Sequence, residues 1–191
     1  AAVPTLKFCR GDDFKEEHWA ALLQGKLGIE RQVKLDTLTV AHFLDNKDKL
    51  PSLLTFCRQL QTQAQGEVAI RDALTDVGAY VQTAQVVMAH GLVTGWKDLF
   101  ADLGDKMALL ASSKGSPYYA RFEDLGNTYE QKMADLDAAL RDLQTIQRKW
   151  VYLAPSVARG SLPREARRFD KIDSDLKDIL ARLEDDPKVF A

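Results

Sequence analysis

The stretch Ser116–Leu153 constrains the fold more than any other part of the sequence. Its apolar residues recur every three or four positions, at Phe122, Leu125, Tyr129, Met133, Leu136, Leu140, Leu143, Ile146, Trp150 and Leu153. This spacing places them on one side of an α-helix rather than on alternate sides of a strand. Ser116 can cap the first turn, and Pro117 occupies the first helical position, where its missing N–H is tolerated. An unbroken helix would be about 55 Å long, so other helices must cover its apolar side.

The first part of the chain also has helical patterns. Asp12 or Asp13 can cap a helix that ends at Gly25 and Gly28, since glycine favours helix ends. The apolar residues expected to face inward on this helix are Trp19, Leu22, Leu23 and Leu27. A short helix is expected around Lys34–Asp45.

A longer helix is expected from Asn46 to Val77. It carries two apolar stripes, one from Leu50 to Ala64 and a second from Ile70 to Val77. The two stripes are out of phase, and Gly66 lies between them. Such a phase slip predicts a bend or a change of packing partner, which makes Gly66 the candidate hinge.

The stretch Gly78–Gly95 fits two structures. Its valines and tyrosine favour strands, with His90-Gly91 as a turn, whereas its alanines and glutamines are compatible with a helix. We favour a short β-hairpin, because β-branched residues flanked by glycines outweigh the alanines.

The remainder of the chain is again helical in pattern. Trp96–Ser112 predicts a helix, residues 154–161 predict a turn, and Pro163 begins a last helix that Asp185–Pro187 stops. Its inward stripe is Phe169, Ile172, Leu176, Ile179, Leu180 and Leu183. The predicted fold is therefore mainly α, an elongated stack of antiparallel helices in rod-like bundles with one short β-hairpin. The predicted divisions are an N-terminal helical bundle (1–77), a hairpin insert (78–95) and a long-rod bundle (96–191).

The sequence contains no catalytic motif, and we expect no enzyme activity, cofactor or metal site in this chain. His18, His42 and His90 lie in separate segments without the convergent ligands that zinc needs. His18 is expected to be a packed or capping residue. Cys9 and Cys57 are expected to be buried, reduced thiols of a cytosolic-type compartment.

The charge balance suggests no nucleic-acid or membrane partner, because the formal net charge is only -2. No apolar run has the length of a membrane-spanning helix, and the N-terminus lacks the pattern of a signal peptide. The chain also lacks an initiator Met, so we expect it to be a piece of a longer protein. A basic cluster at Arg164, Arg167, Arg168 and Lys171 is either a solvated helix face or a docking patch for an acidic surface.

The run Ile146–Leu180 resembles a signature of the dynein heavy-chain linker. The matching residues are Gln147, Arg148, Trp150, Tyr152, Leu153, Leu162, Pro163, Glu165, Phe169, Ile172 and Asp173. Three more blocks resemble the same family in the same order: His18-Trp19, Ala64–Leu74 and Trp96–Asp124. The short spacer before Leu162 is most similar to the cytoplasmic dyneins of retrograde intraflagellar transport (the dynein-2, or dynein-1b, type).

This resemblance implies a mechanical role. The family's linker is a helical rod that lies across a ring of AAA+ ATPase modules and bends and straightens with nucleotide state. The implied partner is the ring of the same heavy chain, with ATP and Mg²⁺ bound elsewhere in the parent motor. Microtubules would be contacted only through the parent chain, in the cytoplasm and the cilium or flagellum. The alternative from composition alone is a helical scaffold or tethering module of the spectrin-repeat kind.

Overall fold

A computed structural model describes residues 7–28, 39, 41, 50–160 and 164–190 of the chain. The described part is mainly α with one short β-hairpin, which confirms the predicted fold class. Its elements are α1 (Glu16–Ala20, continuing as a π-helix, Ala21–Leu27), α2 (Leu50–Thr83), β1 (Val87–Ala89), β2 (Leu92–Thr94), α3 (Trp96–Ser113), a 3-10 turn (Tyr119–Phe122), α4 (Glu123–Ala158) and α5 (Ala166–Asp185). The predicted helix around residues 34–45 falls almost wholly outside the described residues.

The chain forms two compact units. Unit 1 comprises residues 1–72 and 116–121, and unit 2 comprises residues 73–115 and 122–191. The short segment 116–121 therefore belongs with the N-terminal unit, although it precedes α4 in the sequence. The sequence-based division at residues 77 and 95 stays a prediction.

In unit 1, α1 begins later than predicted. A turn in which the Phe14 N–H donates to the Gly11 carbonyl (3.2 Å) occupies the residues where Asp12 or Asp13 was expected to cap the helix. The predicted end is confirmed at Gly28, which has the left-handed conformation that stops the helix (φ 71°), but it is wrong at Gly25, which lies within the π-helix. The buried apolar core of the unit contains Cys9, Phe14, Leu22, Leu23, Leu27, Leu53, Cys57, Leu60 and Ala64.

Helix α2 runs for 34 residues and is longer at its C-terminal end than predicted. Residues 78–83 are helical and not part of a hairpin. Tertiary packing explains the difference, since the Tyr80 ring stacks edge-on against Phe190 with centroids 6.0 Å apart. At Gly78, a Cβ atom would lie 2.8 Å from the Tyr129 hydroxyl, so α2 and the Tyr129 side chain are in close contact there. These contacts outweigh the strand preference of the local sequence.

The predicted hairpin is present in the second half of the 78–95 stretch. Its register pairs Val87 with Thr94, Met88 with Val93 and Ala89 with Leu92. The turn residues His90 (φ 54°) and Gly91 (φ 72°) both have positive φ, as a two-residue type I′ turn requires.

Helix α3 forms as the sequence predicts, but α4 begins at Glu123 rather than after Ser116. The Ser116 carbonyl accepts the Tyr119 N–H (3.1 Å), and the Ser116 hydroxyl accepts the Tyr118 N–H (3.3 Å). These bonds close a separate turn, so Pro117 does not occupy the first position of α4.

At its other end, α4 continues through the predicted 154–161 turn as far as Ala158. Pro155 is tolerated because it lies in the last turn, where its missing N–H interrupts only the end of the helix. Gly160 then takes a positive φ (73°) and its N–H bonds to the Val157 carbonyl (2.9 Å).

The buried side of α4 repeats every seven residues and packs against α3 and α5. Its buried positions are Gly126, Met133, Leu140 and Gln147. Its half-buried positions are Tyr129, Leu136, Leu143 and Trp150. The predicted stripe is therefore wrong at Leu125, Ile146 and Leu153, whose exposed fractions are 46%, 45% and 37%.

Helix α5 shows a similar shift. It begins at Ala166, with Glu165 as the residue before it, whereas Pro163 lies outside the described residues. Leu176 and Leu180 are buried, but Ile172 and Ile179 are exposed, contrary to the predicted stripe. The helix ends at Asp185 and Asp186 is extended, which confirms the predicted stop.

Candidate functional site

The carboxylate of Glu67 is fully buried in unit 1 and has four polar neighbours. Its Oε1 accepts hydrogen bonds from Gln63 Nε2 (2.7 Å) and Arg121 Nη1 (3.2 Å). Its Oε2 accepts a bond from Arg71 and lies 3.2 Å from His18 Nε2. Because burying an unpaired carboxylate is costly, this side chain requires its partners.

These partners come from three separate parts of the chain. Gln63, Glu67 and Arg71 are successive positions four residues apart on one side of α2. His18 comes from α1, and Arg121 comes from the 3-10 turn that follows α3. We call this group, with Glu17, the Glu67 junction. It ties together three of the sequence blocks that resemble the dynein linker.

His18 also has a second role in the junction. Its Nδ1 accepts the backbone N–H of Lys15 (3.0 Å), which caps the start of α1 and confirms that His18 is a packed, capping residue. Since Nδ1 is the acceptor, the proton of the neutral ring lies on Nε2, facing Glu67. The contact falls short of a well-formed hydrogen bond in its geometry. Burial lowers the pKa of His18, against the opposing effect of Glu67.

The carboxylates of the junction remain ionised. Burial opposes ionisation of Glu67, but hydrogen bonds from Gln63 and Arg71 outweigh it and lower the pKa of Glu67. Glu17 Oε1 lies 2.5 Å from Arg71 Nη2, and this bond likewise outweighs burial and lowers the pKa of Glu17. With neutral His18, two carboxylates face two guanidinium groups, so the junction is balanced in charge.

The same residues include three potential metal ligands. Ligand atoms of Glu17, His18 and Glu67 lie within 4.8 Å of one another. However, Arg71 already binds both carboxylates, and His18 Nε2 carries a proton rather than a free lone pair. A cation would also face the positive charges of Arg71 and Arg121. The donor set therefore fits an ion-pair network and not a metal centre.

A second polar group lies in unit 2 and is uncharged at its centre. The buried side-chain amide of Gln147 pairs with the backbone of Val93 in both directions. Gln147 Oε1 accepts the Val93 N–H (3.0 Å), and Gln147 Nε2 donates to the Val93 carbonyl (2.8 Å). Gln147 thus takes the place of a neighbouring strand along β2, which stabilises the hairpin against α4.

One turn further along α4, Trp150 connects this helix to α5. Its Nε1 donates to Asp173 Oδ1 (2.9 Å), and Lys177 Nζ donates to Asp173 Oδ2 (2.8 Å). The bonds from Lys177 and Trp150 lower the pKa of Asp173. We call Val93, Gln147, Trp150 and Asp173 the Gln147 junction.

The other predicted site residues have less defined roles in the structure. Trp19 is half-buried, with its ring edge-on to Phe14 at 5.2 Å, and Phe169 is half-buried on α5. Arg148, Tyr152 and Leu153 are exposed, Tyr152 to 81%. Leu162, like Pro163, lies outside the described residues.

The predicted hinge and docking patch remain predictions. Helix α2 is continuous through Gly66, where a Cβ atom would lie 2.3 Å from Tyr118 Cε2, so the glycine makes room for this ring. The side chains of the basic patch are all exposed: Arg164, Arg167, Arg168 and Lys171. Within the patch, Arg168 Nη1 lies 3.6 Å from Glu165 Oε2.

Sequence reasoning did not single out Glu67, Arg71 or Arg121. A signal was present, because Glu67 and Arg71 form an i, i+4 pair within a stretch that is otherwise apolar on one side. The sequence places Asp173 in the family signature but does not indicate its bond to Trp150. Across the ranges that the structure describes, no helix combines the length and hydropathy needed to cross a membrane.

Comparison with known proteins shows the family to which this chain belongs. The family model described as "Dynein heavy chain, N-terminal region 2" matches residues 1–191. The chain therefore belongs to the dynein heavy-chain family. It is similar to cytoplasmic dynein 2 heavy chain 1 of Mus musculus (38% identical over 196 residues) and Homo sapiens (38% over 198), in each case over 98% of this chain.

The Caenorhabditis elegans protein of the same name is 37% identical over 195 residues, covering 97% of this chain. The chain spans only 4% of the length of the mouse and human relatives and 5% of the C. elegans relative. These relatives confirm the expected resemblance to the dynein-2 type.

Proposed function

We propose that this chain is a mechanical linker segment of a dynein motor heavy chain. In this role it transmits an ATP-driven change in the AAA+ ring into a power stroke toward the microtubule minus end, in intraflagellar transport. The observation that carries the proposal is the bracing of α4, a 36-residue helix that packs along a seven-residue repeat against α3 and α5. A lever must resist bending, and a helix supported on two sides does so better than an isolated one.

The polar junctions support the same role. Polar groups that must all be paired allow few alternative arrangements, so they fix the register between the elements they join. The Gln147 junction fixes α4 relative to the hairpin and to α5. The Glu67 junction fixes α1 and the 116–121 segment against α2. Gly66 is our candidate for a compliant point within α2.

We assign ATP hydrolysis to other parts of the heavy chain. ATP and Mg²⁺ would bind in the ring of the parent motor, which would be the ATPase, and this chain would need no cofactor of its own. Its partner would be that ring, and the exposed patch Arg164–Lys171 would dock on an acidic surface of it. Microtubules would be reached only through the parent chain, in the cytoplasm and the cilium or flagellum.

The test is made in a full-length heavy chain that carries this region. Gln147→Ala removes the clamp between α4 and the hairpin, and Gln131→Ala removes an exposed glutamine of the same helix as the matched control. We expect Gln147→Ala to slow microtubule gliding several-fold while the ATPase rate of the motor is retained. The control should change neither quantity. Equal losses of gliding and ATPase, or a normal gliding speed, would contradict the lever.

A second measurement follows the movement directly. A donor dye at exposed Asp178 of α5, outside the basic patch, and an acceptor in the ring should give a transfer efficiency that changes between the ATP-bound and nucleotide-free motor. A constant efficiency, together with a separate protein partner that binds this chain, would favour the scaffold alternative. ATP binding by the chain on its own would also contradict the proposal.

A further inference from the structure

An open, mainly apolar groove lies in unit 2, where the hairpin meets α4 and α5. Its volume is about 510 Å³, and its lining includes Leu92 of the hairpin, Val151 and Pro155 of α4, and Leu180 and Ala181 of α5. Ligand sites in proteins have similar volumes. Because two helices form its walls and it opens to the surface, the groove fits the side chains of a protein segment.

One side of α4 continues the groove onto the surface. Arg148, Val151, Tyr152 and Pro155 are spaced i, i+3, i+4 and i+7, so they lie on the same side of the helix. All four are exposed, Val151 to 46% and Tyr152 to 81%. Val151 and Pro155 line the groove, and Arg148 and Tyr152 therefore flank it. Tyrosine and arginine are among the residues that supply most of the binding energy in protein interfaces.

The charges at the groove favour an acidic partner. Lys177 and Glu184 line the groove with opposite charges, and Lys177 Nζ is also bonded to Asp173 Oδ2 (2.8 Å). Arg148 is the additional positive charge on the α4 side. No acidic residue lies three or four positions from Arg148, so its own helix supplies no carboxylate for it. A carboxylate from a bound segment would complement this guanidinium.

We propose that this groove and the exposed side of α4 beside it bind an acidic amphipathic helix from another part of the same heavy chain. The bound helix places a leucine or an aromatic side chain in the groove and an Asp or Glu carboxylate against Arg148. An amphipathic helix commonly binds an apolar groove in this manner. The arginine and the carboxylate form two parallel hydrogen bonds, which fix the register of the helix.

The length of the relatives indicates the source of the helix. This chain spans 4% of the length of the mouse and human relatives, so most of such a heavy chain lies outside it. Segments joined to the chain are present at a high effective concentration, which favours them over separate proteins. The inference rests on the proposed function in that both place the chain within a dynein heavy chain, but the docking itself needs neither ATP nor movement.

The test uses a full-length heavy chain in which the photoreactive amino acid benzoylphenylalanine replaces Tyr152. After illumination we expect a cross-link within the same chain, to a peptide with apolar and acidic residues at helical spacing. The same amino acid in place of Gln131, which is exposed on an earlier turn of α4, is the control. A cross-link to a separate protein or a second heavy chain, or a yield no higher than that of the control, would overturn the proposal.

Two charge reversals test the role of Arg148. Arg148→Glu should lower the yield of the cross-link at least several-fold, because two carboxylates would then face each other. Lys149→Glu makes the same change at an exposed residue about 100° further round α4, and it should leave the yield unchanged. Replacing the acid of the cross-linked peptide by Arg should restore the yield in Arg148→Glu. Equal effects of the two reversals would overturn the ion pair.

The result is separable from that of the lever test. A cross-link in a motor whose gliding is unaffected by Gln147→Ala would support the docking site and contradict the lever. Slower gliding of Gln147→Ala without any cross-link from position 152 would support the lever and overturn the docking site.

Discussion

The Glu67 junction and the Gln147 junction solve the same problem with different chemistry. Each holds distant segments together, the first with buried charges and the second with an amide that imitates a strand. A charge network is costly when one member is lost, because the others remain buried without their partners. A neutral amide loses only its own two bonds. The comparison predicts that unit 1 is the less tolerant of substitution and the more sensitive to pH.

The largest expected effect is at the centre of the charged junction. Glu67→Ala leaves the positive charges of Arg71 and Arg121 facing each other without the central carboxylate that pairs with both, so it should lower the free energy of unfolding by about 4 kcal/mol. Urea unfolding measures the change. Glu130→Ala, which breaks an exposed pair with Lys114, is the control and should cost less than about 1 kcal/mol. Equal costs for the two variants would remove the distinction between buried and exposed charge.

Gln147→Ala should be the next most damaging change. The Val93 N–H and carbonyl would lose their partners in a buried position, at a cost of about 2 kcal/mol in the free energy of unfolding. Hydrogen exchange at the Val93 amide should accelerate, whereas Gln131→Ala should leave it unchanged. An unaltered exchange rate at Val93 would show that water or another group replaces the amide.

Two glycine substitutions should change the free energy of unfolding in opposite directions. Gly66→Ala places a methyl group against the Tyr118 ring and should cost about 1–2 kcal/mol in unfolding free energy. Gly104→Ala, on α3, has no neighbour within 4 Å and should gain about 0.5–1 kcal/mol from helix propensity. Thermal unfolding separates the two. If Tyr118→Ala does not reduce the cost of Gly66→Ala, steric contact with this ring is not its cause.

The smallest expected effect is a pH dependence that sets in at the charged junction, above the pH range in which Asp173 of the Gln147 junction titrates. The folded pKa of His18 lies below its ordinary value of 6.5, so the folded chain binds fewer protons than the unfolded chain as the pH falls below that value. Stability should therefore be complete above pH 6.5 and decrease below it. Glu67, with a pKa lowered from 4.5, adds a second loss as the pH falls below that value.

The variant His18→Asn isolates the first of these losses. An asparagine Oδ1 can accept the Lys15 N–H in place of Nδ1 but does not titrate. The unfolding midpoint of this variant should be flat between pH 7 and the onset of carboxylate protonation. A slope equal to that of the natural chain would assign the effect to another group.

The sequence predicts helix identity well and helix faces less well. The type and the approximate extent of α3, α4 and α5 follow from their apolar spacing. The turn at His90-Gly91 follows from the β-branched residues and glycines around it. The predicted buried face of α4 is wrong at Leu125 and Ile146. The buried residues next to them are a glycine and a glutamine, Gly126 and Gln147. Hydrophobicity alone cannot assign such residues to a core, since their burial depends on the close approach of a neighbour or on hydrogen bonds with it.

The candidate sites show the same limit. His18, Gln147 and Trp150 were recognisable from the resemblance to the dynein linker, but their partners were not. Arg121 meets Glu67 only because the 116–121 segment folds back on unit 1, and no local pattern encodes that contact. Ser116 and Pro117 are typical of a helix start, yet they close a separate turn. In this turn the Tyr118 ring lies against Gly66 and Tyr119 is buried.

The seven-residue repeat of α4 has a consequence for how this helix responds to load. A straight α-helix has 3.6 residues per turn, so a seven-residue seam drifts by about 20° in each repeat. A helix that keeps such a seam against its neighbours along its length winds around them with a left-handed twist. Stretching a helix that is wound in this way also rotates it about its axis. A pull along the axis of α4 would thus also apply a torque to the hairpin that Gln147 holds.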